Sequence, residues 1–143
     1  MKMVEPEDQL KDWIRSNMKS EATSELDRWK EEVAQLLSIM PDGEIETKVT
    51  PEETKSRILL QFIGRAYAEA GGIVESASLS NSQVKASVGI PAGTVDRVLA
   101  ELRSEHLLQS SGRGDQRIPA NRIGEAVRRI KANLEHQDHD GRT

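Results

Sequence analysis

The sequence predicts a mostly α-helical fold carrying one small β-hairpin. Hydrophobic residues make up 36% of the 143 residues and include one Phe, one Tyr and two Trp, so the core must be largely aliphatic, which favours a helix-rich interior. In several segments the apolar positions recur every three or four residues, the period of one helix face. Between Leu79 and Ile118 the pattern changes in order, from helix to tight turn to helix, and then to a hairpin at Gly112-Arg113-Gly114-Asp115. The length suits one core with a helical appendage and is short for two full-size domains.

Residues 1–5 have no pattern and are expected to fray. From Pro6, the residues Leu10, Trp13, Ile14 and Met18 fall at helical spacing, with Glu7 and Asp8 complementing the dipole in the first turn. Ser24 followed by Asp27 resembles a capping box, and Leu26, Trp29, Val33, Leu36, Leu37 and Met40 continue an apolar stripe until Pro41-Asp42-Gly43 closes the helix. Residues 1–48 are therefore read as an N-terminal helical extension. It serves either as extra core packing or as a dimerisation arm, because both uses bury the two stripes.

Glu44 to Val49 alternates in polarity, which permits a short strand, but an extended linker is the favoured reading. Thr50 as cap, Pro51 at the first helical position and Glu52 and Glu53 in the first turn then predict a helix running to about Ala70. Ile58, Leu59, Phe62, Ile63, Ala66 and Tyr67 give it a wide apolar face, and Gly71-Gly72 stops it. The connection that follows has room for a short strand near Ala77 to Leu79 that pairs with the hairpin.

Ser80 and Asn81 can accept hydrogen bonds from the free amides of a helix start, after which Val84, Ala86 and Val88 supply apolar positions and Gly89 ends the helix. Pro91 fits the first position of a second helix, spanning 92–106. Val95, Val98, Leu99 and Leu102 share one face of it, leaving Thr94, Asp96, Arg97, Glu101 and Arg103 outside that stripe. Two helices joined by a short glycine-containing turn form a helix-turn-helix. The segments Leu107 to Ser111 and Gln116 to Pro119 flank the hairpin turn, and Asn121 caps a last helix bearing Ile123, Ala126, Val127, Ile130 and Leu134. Residues 49–135 thus form the main domain, and 136–143, with no apolar residue, are predicted to be a disordered tail.

The net charge of −4 is unevenly distributed. Met1 to Leu79 carries ten Lys/Arg against sixteen Asp/Glu, whereas Ser80 to Leu134 carries nine against five. The helix-turn-helix therefore sits in the basic part of an acidic protein, which suits phosphate contact. Without cysteine there is no disulfide framework, thiolate metal site or cysteine nucleophile, which fits a reducing cytoplasm. No signal-like apolar segment and no membrane-spanning run is evident, so the expectation is a soluble cytoplasmic protein with no membrane partner.

His136-Gln137-Asp138-His139-Asp140 holds imidazoles and carboxylates but lies in the predicted tail, so no metal site is assigned. His106 is read as a dipole partner at the end of the second helix rather than as a base. The hairpin glycines lack the Lys-Ser/Thr pair of a P-loop, and no nucleophile elbow or dinucleotide fingerprint occurs. Neither an enzyme nor a cofactor is predicted. No ligand pocket is evident in the sequence.

Over Thr54 to Leu134, four segments in order (SNSQVKASVGI, GTVDRVLAEL, HLLQSSGRGDQRI and IPANRIGEAVRRI) resemble the winged helix-turn-helix transcription regulators of bacteria and archaea. The resemblance implies double-stranded DNA as partner and a homodimer. It places helix 92–106 in the major groove and hairpin 107–119 as a wing over the backbone or minor groove. Carried onto this chain, it puts Thr94 and Arg97 where side chains reach base edges, Arg97 being suited to bidentate contact with guanine. It assigns Ser82, Gln83 and Lys85 to backbone contact, and Arg113, Gln116 and Arg117 to phosphate or minor-groove contact. Asp96 departs from the pattern: it would be repelled by phosphate, or would read the cytosine amino group. Glu101 and Glu105 leave the latter half of the helix nearly neutral. The competing reading is a winged helix that binds another protein within a larger assembly.

Overall fold

The computed structural model describes residues 6–17 and 22–141, with side chains described for 6–14 and 23–137. Met18, the first five residues and the last two lie outside the described residues. The chain is mostly helical, with two small antiparallel sheets. In order, the elements are α1 (Pro6–Asn17), α2 (Ala22–Leu36), β1 (Leu37–Ile39), β2 (Ile45–Thr47), α3 (Thr54–Ala70) and β3 (Leu79–Ser80). They continue with α4 (Asn81–Val88), α5 (Ala92–Ser104), β4 (Gln109–Gly112), β5 (Asp115–Arg117), a 3-10 turn (Ala120–Arg122) and α6 (Ile123–Gly141). Among the described residues no helix is long and apolar enough to cross a membrane.

One aliphatic core joins α2 through α6. The apolar face of α3, including Ile58, Leu59, Phe62 and Ile63, is fully buried at its centre, where Val84 of α4, Val95 and Leu99 of α5 and Ile123, Val127 and Ile130 of α6 meet it. Val33 and Leu36 of α2 and Leu37 of β1 belong to the same cluster. The expected boundary at residue 48 therefore does not separate the core: α2 packs on α3 and α6, and only α1 keeps its apolar stripe outside, with Leu10 at 59% and Trp13 at 53% exposure. Tyr67 ties α3 to α2 by donating its hydroxyl to Leu26 O at 2.6 Å. Burial, then the carboxylates of Glu32, Asp27 and Glu25, push this phenol up to about 12.

The N-terminal third departs from expectation in three places. First, the helix over the second stripe stops at Leu36, and Leu37–Ile39 pairs antiparallel with Ile45–Thr47, so the segment read as a linker is a strand. Pro41-Asp42-Gly43 then serves as a hairpin turn, with Asp42 Oδ1 accepting from Glu44 N at 3.0 Å. Pairing satisfies backbone groups that an extended linker would leave to water. Second, Ser24 lies inside α2, which starts at Ala22, so it is not the cap. Third, α3 starts at Thr54 rather than just after Thr50, with Glu53 at the N-cap and no side-chain cap of its own.

Side chains of α6 instead hold the backbone that leads into α3. Asn133 Oδ1 accepts from Glu53 N at 3.2 Å, while Gln137 accepts from Glu52 N at 2.5 Å and donates to Thr50 O at 3.2 Å. The C-terminus also departs from expectation: the helix continues to Gly141, through most of the segment predicted to be disordered. An absence of apolar residues did not prevent a helix whose polar side chains are used in pairing with the start of α3. Asn121, expected as its cap, lies within the preceding 3-10 turn.

The second sheet has the order β3-β5-β4. Leu79 and Ser80 pair with Gln116 and Asp115, and β4 pairs with β5 around the turn at Arg113-Gly114. That turn holds Gly112, Arg113 and Gly114 at φ +104°, +48° and +84°, the conformation for which the glycines were needed. The short strand expected near Ala77 to Leu79 is present, one residue further on.

Candidate functional site

Helices α4 and α5 are fixed by local chemistry. Ser80 caps α4 in a full capping box: its hydroxyl accepts from Gln83 N at 3.2 Å and the Gln83 side chain accepts from Ser80 N at 2.8 Å. Gly89 ends α4 in the left-handed region, φ +63°, as a C-terminal glycine should. Pro91 sits at the N-cap of α5, one residue outside the position expected. Helix α5 ends at Ser104 rather than at 106, and His106 turns the chain toward the hairpin at φ +63°.

Asp96 joins α5 to α4. Lys85 Nζ lies 2.9 Å from its Oδ1 and Asn81 Nδ2 donates to the same carboxylate at 2.9 Å. The Lys85 hydrogen bond, then that of Asn81, hold the carboxyl below the usual aspartate range. Lys85, expected to meet a nucleic-acid backbone, is thus already ion-paired, and Gln83 is partly committed to the cap. Ser82 is exposed and Thr94 half-buried.

Arg97 projects outward, its side chain 63% exposed, and pairs one turn along α5 with Glu101 at 2.8 Å. On the far side of Glu101, a chain of charges runs into the body of the protein. Lys55 of α3 bridges Glu101 and Glu105, and Arg129 of α6 bridges Glu105 and Glu53 at 3.2 and 2.7 Å. The two glutamates that lower the charge of α5 therefore anchor it to α3 and α6.

The hairpin sits beside α5 through a residue that sequence reasoning placed on the surface. Gln116 is 1% exposed. Its amide donates to Leu79 O at 2.9 Å and Asn81 Oδ1 at 3.0 Å, and its oxygen accepts from Arg103 Nη1 at 2.5 Å. It is a buried connector of strand, helix and hairpin and is withdrawn from the surface contacts. Arg103, not singled out as a contact, is the residue this reveals: half-buried between α5 and the hairpin, it lines a concavity with Ser80, Ser82, Ser110 and Gly114. The signal for it was its spacing from Asp96, two helical turns away on one side of α5.

Arg113 is exposed at the hairpin tip and forms no ion pair among the described residues. Arg117 is half-buried and pairs with Glu69 of α3 at 3.2 Å. Among the described residues no group of His, Asp and Glu converges as a metal site, and the side chains of Asp138 to Asp140 lie outside them. The chain matches no protein family, and no curated protein or solved structure matches it.

Proposed function

We propose that the chain is a winged helix-turn-helix DNA-binding protein and a transcription regulator, with α5 entering the major groove and the β4–β5 hairpin lying on the backbone or minor groove. The element order α3-β3-α4-α5-β4-β5, with β5 central in a three-stranded sheet, supports the winged-helix reading. One observation carries the function. Arg103 and Gln116 lock α5 and the hairpin side by side, so that Arg97, Arg103 and Arg113 are offered from adjoining elements, and neither Arg103 nor Arg113 forms an ion pair among the described residues. The exposed stripe of α1 supports pairing with a second copy, as operator-reading dimers require.

Titration of a labelled mixed-sequence duplex at low and moderate salt tests the reading. Phosphate contact requires affinity to fall steeply with salt. Absence of binding at low salt, or binding indifferent to salt, overturns it. A second reading, a protein-binding winged helix, draws on a different observation: Lys85, Arg97 and Arg117 are each paired with a carboxylate, which reduces the local positive field. That reading requires the duplex titration to fail.

A further inference from the structure

A cleft of about 410 Å³ lies between the β1–β2 turn, α3 and α4. A separate recess of about 100 Å³, lined by Val49 and Pro51 among others, shares Gln61 and Ser87 with it. The cleft volume is within the range of small-molecule sites. Gln61, on α3, borders both spaces, is only 8% exposed, and makes no hydrogen bond to any described residue. Its amide, with two donors and an acceptor, is not among the fully buried polar atoms, so it keeps its opening to solvent where it borders the two spaces. Its neighbours Leu60 and Phe62 are core residues, so the amide is an exception in a buried apolar stretch and is directed to the cleft.

The charges lining the cleft are of both signs. Arg65, one turn along α3 from Gln61, donates from Nε to Ser76 O at 3.0 Å and forms no ion pair among the described residues. Asp42 and Glu44, on the β1–β2 turn, line the same cleft without pairing to Arg65. Apolar surface from Ile45, Leu79 and Ala86 completes the lining. A cavity that holds a cation and carboxylates apart, with an amide at its floor, is complementary to a ligand that carries both charges.

We infer that this cleft binds a small zwitterion of the α-amino-acid class. The ligand carboxylate meets the Arg65 guanidinium and the Gln61 amide, and the ammonium meets Asp42 and Glu44. This goes beyond the DNA-binding reading and does not depend on it.

The test uses the isotopically labelled full chain, titrated separately with the proteinogenic α-amino acids, while the side-chain amide resonances of Gln61 are followed by NMR. The expected result is that at least one amino acid at millimolar concentration shifts the Gln61 pair and raises Tm by about 2 °C or more. Its N-acetyl and methyl-ester derivatives, each lacking one charge, should bind about tenfold more weakly or worse. Ala86→Trp, placed on the exposed side of α4, fills the cleft and should abolish the shift while Gln61 remains as reporter. Gln61→Leu should weaken the same binding, read by calorimetry. The inference is overturned if no amino acid moves the Gln61 resonances, if the blocked derivatives bind equally well, or if Ala86→Trp binds as the parent does.

Discussion

Lys85 of α4 and Asp96 of α5 hold each other across the turn between the two helices, with Nζ 2.9 Å from Oδ1 and 3.0 Å from Oδ2. The aspartate that looked like an obstacle to phosphate is a tie between the two helices, and it masks a lysine. Asp96→Ala should therefore release Lys85 and remove a like charge from the phosphates. Duplex affinity is expected to rise, and the slope of log K against log salt to steepen by about 0.9, the contribution of one added phosphate contact. Unchanged or weaker binding would show that Asp96 does not oppose the duplex.

The arginines should separate by kind. Arg97→Ala is expected to reduce discrimination between duplex sequences by about 1–3 kcal/mol, read from competition binding, because a guanidinium that grips a base edge carries sequence information. Arg113→Ala should weaken binding to all sequences and flatten the salt slope by about 1. Arg117→Ala should act in the same direction but less, since Glu69 already neutralises Arg117. Equal affinity of all three variants and the parent would remove these residues from the interface.

Gln116→Leu preserves volume while leaving Leu79 O and Asn81 Oδ1 without their donor and Arg103 without its acceptor. Urea unfolding should report a loss of about 2 kcal/mol, the scale for orphaning buried polar groups. A neutral result would mean that water replaces the bonds, and that the hairpin is less firmly seated than its geometry indicates.

Acid should weaken the junction of α3 and α6. Burial alone raises the Glu53 carboxyl, but hydrogen bonds from Arg129 at 2.7 Å and Ser56 at 3.0 Å outweigh it, and the net shift is downward. A carboxyl lowered on folding adds stability above its unfolded value of 4.5 and loses it as pH falls through the folded value. The stability gap between the parent and Glu53→Gln should thus be full at neutral pH and narrow below about 4.5. Denaturant midpoints measured across that range check it, and a gap independent of pH contradicts it.

Gly124 of α6 faces the Trp29 ring so closely that a Cβ there would lie 2.7 Å from its atoms. Arg28 and Arg128 hold the same ring from 5.4 and 5.1 Å, and its Nε1 is buried with no hydrogen-bond partner among the described residues. Gly124→Ala gains about 1 kcal/mol of helix propensity, yet overpacking a ring with little freedom to move costs about 1–3 kcal/mol. The net expectation is a lower Tm with altered Trp29 fluorescence; a higher Tm would show that the ring can shift.

What was legible in the sequence was the chemistry of ends and faces. Ser80, Gly89, and the Val95-Val98-Leu99-Leu102 stripe each announce a local structure by residue type and spacing alone, and each is found. What was not legible depends on partners distant in sequence. Leu37 and Met40 extend a helical stripe from Leu36, yet Leu37 also begins a strand, and only pairing with Ile45–Thr47 decides between the two. Gln116 was taken for a surface residue by its polarity, although its spacing of two from buried Ile118 put both on one face of the strand. The hold of Asn133 and Gln137 on the backbone before α3 belongs to a contact about eighty residues away, as does the α6 extension that it accompanies. Gln61 could be seen to interrupt an apolar run, but the cleft beside it exists only where the β1–β2 turn approaches α3 and α4.

Because β5 lies between the strand that leads into α4 and the strand that follows α5, the hairpin and the helix pair cannot swing independently. Their relative angle is set at synthesis of the fold and not on meeting a partner, so little orientational freedom remains to be surrendered at contact. A partner that fits one element but not the spacing to the other is turned away by geometry, whatever its charge.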